Sequence, residues 1–180
     1  MQNLISIRSV EDILPAYRGT PIESLIVYHN FEGVPEKYER AEILVGMCMD
    51  NRKHLHIPDN FAYIIRSGGA NLKYSEFKVS YAIGVGGVRY IALIGHNHCG
   101  MVNLASRRDE FIKGLIETAG WKKETAEEHF LQFAPLFEIG NESNFIITET
   151  IRLRKRYPKV TIAPLLYLVE DNKLYFIDEN

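Results

Sequence analysis

Two short segments carry residues able to do chemistry: Cys48-Met-Asp-Asn-Arg52 and Gly95-His96-Asn-His-Cys99-Gly100. The chain has 2 cysteines, and each sits in one of these segments behind an apolar run. Ile43-Leu-Val-Gly-Met47 precedes Cys48, and Tyr90-Ile-Ala-Leu-Ile94 precedes His96 and Cys99. Two thiols and an imidazole presented at neighbouring strand ends are three ligands for a borderline-soft metal, most naturally zinc. The bland alternatives are a closed structural site or two unrelated core thiols. A fourth coordination position stays undecided. Alternate residues of an extended stretch point to one side, so Cys48, Asp50 and Arg52 can project together. Asp50 could then complete the metal's ligands itself. Alternatively, Arg52 holds Asp50 in a bidentate pair and the metal stays open to water. Zinc brings the pKa of a bound water from about 15.7 to about 7. Two thiolates donate more charge than imidazoles, so a smaller shift and activity rising towards alkaline pH are expected here. A cysteine nucleophile paired with histidine is a further enzymatic reading, but it leaves the second cysteine and the Asp-x-Arg spacing unused.

The elements that must position these residues follow from hydrophobic pattern. Apolar runs at 42–48, 61–66 and 89–95 have strand length and composition. Between the last two, 74–84 has helical spacing, with Phe77, Tyr81 and Val85 on one stripe read as core, and Gly84, Gly86 and Gly87 as the stop. Strand, helix, strand implies parallel pairing by right-handed crossover, hence an α/β sheet flanked by helices. In such sheets ligand sites form where strand C-termini open into loops, and both motifs lie there. Gly95 and Gly100 bracket His96 and Cys99 with permissive backbone. Cys99 falls near the start of the next helix, whose dipole favours a thiolate. Residues 101–157 read as successive helices broken near Gly120 and Gly140-Asn141. Two final strands, 160–169 and 173–177, form a hairpin at the sheet edge. Residues 1–40 read as an N-terminal arm, with short helices near 10–14 and 22–31, that packs on something else such as a second subunit. The whole, 1–180, is a single domain with its α/β core over 41–180.

At 180 residues the chain is long enough for one substantial core. A net charge of −2 gives no electrostatic reason to expect nucleic acid or an anionic membrane as partner. No stretch approaches the ~20 apolar residues of a membrane span, and no secretory signal is visible, so the expected location is the cytoplasm. There, two cysteines are ligands or free thiols rather than a disulfide. His98, between two ligands, reads as solvent-exposed, and His54 and His56 as loop histidines. His29 and His129 carry no local motif. The run Arg152-Leu-Arg-Lys-Arg156 reads as a solvated face favoured by the end of a helix. Gly68-Gly69 reads either as a turn or as a close approach of backbone to the site.

Cys48-x-Asp50-x-Arg52 followed by His96-x-x-Cys99 resembles the two-part signature of β-class carbonic anhydrases, most closely the compact, archaeal-type members. Ala62-Tyr-Ile-Ile-Arg66-Ser-Gly-Gly69 resembles that family's apolar strand ending in Arg-Asn-Ala-Gly, and 84–96 its approach to the histidine motif. The likeness covers roughly 41–103 and 144–178. It implies a mainly parallel sheet flanked by helices. It further implies one zinc per chain on Cys48, His96 and Cys99, with Asp50 and Arg52 as catalytic dyad and Asp50 as a fourth ligand in a closed state. The implied reaction is attack of zinc-bound hydroxide on carbon dioxide to give bicarbonate and a proton, in a homodimer or homotetramer. The other readings are a carbonyl sulfide or carbon disulfide hydrolase on the same scaffold, or a zinc- and bicarbonate-binding module without turnover. The signature departs at Asn51, where the family has Ser or Ala, and at Ser67 and Gly68, where it has Asn then Ala.

Overall fold

The computed structural model describes residues 4–179. Its centre is a six-stranded sheet in the order β1-β6-β5-β4-β2-β3. The strands are β1 (Leu4–Ile5), β2 (Ile43–Cys48), β3 (Ala62–Ser67), β4 (Tyr90–His96), β5 (Thr161–Leu168) and β6 (Lys173–Ile177). β3, β2, β4 and β5 run parallel, and β5, β6 and β1 are antiparallel. The C-terminal hairpin closes one side of the sheet, and the two-residue β1 pairs outside it.

Five helices lie between the strands: α1 (Pro21–Phe31), α2 (Glu76–Gly84), α3 (Arg108–Ala119), α4 (Lys123–Phe137) and α5 (Glu142–Arg156). Their ends follow capping chemistry. The Thr20 hydroxyl accepts from Ile22 N–H ahead of Pro21, the Asn141 side chain accepts from Asn144 N–H, and Gly120 ends α3 in the left-handed region. Every residue of β2 is buried because both faces of the sheet are covered, which is why parallel strands read as unbroken apolar runs. On one face Ile22, Leu25 and Ile26 of α1 pack against Val45, Met47, Ile94 and Leu165. On the other, Ile146 and Leu153 of α5 and Val79 of α2 cover Leu44, Ile91 and Leu93.

Four expectations are corrected. The segment before β2 does not await another body: Ile13, Ile22, Leu25 and Ile26 are fully buried in this chain's own core. The helix expected at 10–14 is two short 3-10 turns, Val10–Asp12 and Pro15–Tyr17, because Pro15 removes a backbone donor. The stripe of α2 faces out: Phe77 is 83% and Val85 70% exposed, and Val79 and Ala82 turn inward instead. Both faces of this helix are apolar, so periodicity could not choose between them. The basic run at the end of α5 is ion-paired rather than simply solvated, Arg152 and Arg156 with Glu76 and Arg154 with Glu179.

Candidate metal centre

The C-terminal ends of β2 and β4, adjacent in the sheet with Met47 opposite Ile94, deliver the two motifs to one point. The ligand atoms of Cys48, His96 and Cys99 all lie within 4.8 Å of one another, and all three residues are buried. The sulfurs are 3.9 Å apart, so the cysteines are free thiols in contact and not a disulfide. The Cys99 S–H, donating to Cys48, favours ionisation of Cys48 against its burial; the same hydrogen bond and burial hold the Cys99 proton on. The pair therefore sheds one proton readily and keeps the second until a cation replaces it.

His96 shows what the pocket is built to hold. Its Nδ1 lies 2.8 Å from the Asn97 carbonyl, which can only accept, so Nδ1 carries the proton. Nε2 then presents a lone pair, is fully buried, and has no hydrogen-bond partner among the described residues. A lone pair of this kind beside two sulfurs fits a soft or borderline cation and leaves a buried acceptor unsatisfied without one.

Asp50 Oδ2 stands 3.8 Å from His96 Nε2. Arg52 grips its carboxylate with two donors, Nε to Oδ1 at 3.0 Å and Nη2 to Oδ2 at 2.7 Å, and adds its own backbone N–H at 2.9 Å. These hydrogen bonds, opposed by partial burial, hold the Asp50 carboxyl well below the usual carboxylate range. Arg52 Nη2 also donates to the His98 carbonyl at 2.9 Å, so one guanidinium ties the two motifs together.

The loops are pinned from behind. Arg66 donates to the carbonyls of Cys48, Asp50 and Lys53. Cys99 N–H donates to Glu142 at 3.1 Å, at the start of α5. Asn97 is held by both Glu170 oxygens and accepts from Val169 N–H, which moors the histidine loop to the C-terminal hairpin. Gly95 is required for close packing, since a Cβ there would meet Ile146 Cγ1 at 2.6 Å. The left-handed residue of the motif is His98, φ 54, in place of the permissive glycine backbone expected at Gly95 and Gly100. Its side chain points to solvent and pairs with Glu170, as its reading as an exposed residue required.

Lys53 escaped the sequence reading. It is fully buried, and its Nζ has no hydrogen-bond partner among the described residues. Burial lowers its pKa, against the pull of the negative charges at Cys48, Asp50 and Cys99. Nothing in Arg52-Lys53-His54 signals burial, because the run reads as a polar loop. Glu142 and Glu170 also lie too far along the chain to be linked to the site by pattern.

Beside the donor cluster lies an apolar chamber of about 360 Å³ under the α3–α4 hairpin, with the exposed Met49 in its lining. Phe111, Phe130, Phe133 and Phe137 form its wall; His129 stacks on Phe111, meets Trp121 edge to face and lies tilted against Phe133.

No protein-family model and no curated protein matches the sequence. Solved structures match in fold. A β-carbonic anhydrase isoform I from Trichomonas vaginalis is 19% identical with a TM-score of 0.64, over 84% of this chain and 91% of that one. A carbonic anhydrase from Glaciozyma antarctica is 23% identical with a TM-score of 0.62, over 93% and 98%. The apo form of a carbon disulfide hydrolase is 19% identical with a TM-score of 0.55, over 88% and 87%. The chain has the β-carbonic anhydrase fold.

Proposed function

We propose that the chain is a zinc-dependent carbonic anhydrase that interconverts carbon dioxide and water with bicarbonate and a proton. The observation that carries this reading is the tautomer of His96: its Nε2 lone pair faces two thiols, with an ionised carboxylate 3.8 Å away. Cys48, His96 and Cys99 would hold the metal, one ion per chain. Zinc supplies Lewis acidity there, making a nucleophile available from water near neutral pH. Asp50, kept ionised by Arg52, accepts a hydrogen bond from the reacting water and orients its lone pair towards the carbon of the substrate. In a closed arrangement Asp50 would serve as the fourth ligand instead. Arg52 arbitrates, because each hydrogen bond it makes to the carboxylate competes with coordination.

The outward stripe of α2 and the exposed Ile64 on edge strand β3 support self-association, as a homodimer or homotetramer. The free thiols suit a reducing compartment, the cytoplasm. Among the described residues no helix is long and apolar enough to cross a membrane.

Purified protein is expected to carry about one zinc per chain and to acidify an indicator solution on mixing with carbon dioxide in a stopped-flow instrument. Full zinc occupancy without activity above buffer at alkaline pH would overturn the enzyme reading in favour of a binding module.

A further inference from the structure

Lys53 is the only buried lysine or arginine among the described residues. Its neighbours Arg52 and His54 are exposed, so burial belongs to this side chain and not to the loop as a whole. A lysine stem is flexible and ordinarily carries its ammonium out to water. Here Nζ is itself enclosed and makes no hydrogen bond among the described residues. Enclosing an ammonium without such partners is unfavourable, and an apolar side chain would fill the same space without that cost. Packing therefore does not account for the group, which leaves its charge.

That charge lies beside the metal centre. Arg66 donates to the carbonyls of Cys48 and Asp50 at 3.4 Å and to that of Lys53 at 3.2 Å, which gathers the three residues around one guanidinium. The negative groups that act on Lys53 through space are Cys48, Asp50 and Cys99, and Arg66 opposes them. Arg52 and Arg66 are exposed, so water and salt screen their charges, whereas a buried charge keeps more of its field. With a divalent metal on two thiolates and Asp50 paired with Arg52, the inner charges cancel. An anion entering that buried space adds a negative charge with no inner partner, and Lys53 is the buried cation beside it.

We propose that Lys53 is a positioning residue whose buried charge compensates a small monoanion, such as bicarbonate, held at the Cys48–His96–Cys99 centre. The inference rests on the metal-binding part of the hydratase reading. Lys53 acts through the field at the centre, since its Nζ reaches no hydrogen-bond partner there. The metal is itself a cation, so removing Lys53 is not expected to lower metal content.

The test compares the parent with Lys53→Met and Lys53→Gln, which remove the charge and keep an unbranched side chain. Thiocyanate is titrated at low salt into the cobalt(II)-loaded proteins and followed by visible absorption. Its Kd is expected to rise about tenfold in both variants, with full metal loading and unchanged cobalt bands before thiocyanate is added. Parent-like thiocyanate affinity in both variants overturns the proposal and leaves Lys53 a structural residue. Parent-like affinity in Lys53→Gln alone also overturns it, because a neutral hydrogen-bond donor would then suffice. Altered cobalt bands before thiocyanate trace the weaker binding to a displaced donor set and overturn it too, as does a parent that takes up no thiocyanate. If Lys53→Met does not fold, Lys53→Gln decides by the same titration. Where thiocyanate binding weakens as expected but fully zinc-loaded parent hydrates no carbon dioxide, the hydratase reading fails and Lys53 stands as the counter-charge of an anion-binding metal centre.

Discussion

His96 and His29 are both buried, at 1% and 5% exposure, and both have an Nε2 without a hydrogen-bond partner among the described residues. One belongs to a metal-ready cluster and the other does not, and the hydrogen bond at Nδ1 separates them. His96 Nδ1 donates to the Asn97 carbonyl, so Nε2 keeps a lone pair. His29 Nδ1 accepts from His56 N–H at 3.2 Å, so the proton of the neutral ring is on Nε2 and no lone pair is offered there. The surroundings agree: thiols and a carboxylate beside His96, the rings of Tyr167 and His56 beside His29. An orphaned imidazole nitrogen is thus a metal site only when tautomer and donor set both point the same way. With a second ring nitrogen facing aromatics, the same orphan is a buried base.

The largest effect that would break this contrast is metal loss. Cys48→Ala or Cys99→Ala is expected to reduce zinc from about one per chain to almost none, whereas His29→Phe should leave it unchanged. Zinc analysis after gel filtration decides, and loss of metal from His29→Phe would erase the distinction. Next in size, Asp50→Ala should keep its zinc while carbon dioxide hydration falls by about 10² or more. Parent-like activity would remove Asp50 from the mechanism.

The buried-base half of the comparison predicts a stability slope. Burial, then the charge of His56, lowers the His29 pKa from 6.5 to about 4, with the Asn172 backbone opposing weakly. Between these values the unfolded chain holds a proton that the folded chain lacks, so folding weakens as pH falls through that window. The loss amounts to about 3 kcal/mol across it and is absent above it. Denaturant unfolding at neutral and at acid pH should show this slope in the parent and a shallower one in His29→Phe. The smallest effect is expected at the supporting layer: Glu142→Ala frees Cys99 N–H and should weaken zinc binding about tenfold in a chelator competition.

Much of this was legible in the sequence, for reasons that differ by region. Strands β2, β3 and β4 lie within a residue of their expected bounds; β2 and β4 are covered on both faces and leave an unbroken apolar signature, and edge strand β3 keeps an apolar run although Tyr63 and Ile64 are exposed. The donor set was legible because cysteine is scarce here and each one follows such a strand. The outward turn of α2 was not, since Phe77 and Val79 are equally apolar and only the position of β3 at the sheet edge decides which faces in. Nor was the burial of Lys53, which depends on how Arg66 folds the 48–53 loop back against the sheet through three carbonyls.

By itself, then, the sequence determined the donor types, their strand-end placement and the parallel pairing of the central strands. Residue chemistry and hydrophobic period are local properties and can be read one segment at a time. Tertiary structure alone decided that His96 turns a lone pair inward, that Arg52 binds Asp50 and the His98 carbonyl at once, and that an apolar chamber forms beside them under the α3–α4 hairpin. Each of these depends on groups distant in the chain meeting within a few ångströms, and no pattern along the chain records such a meeting.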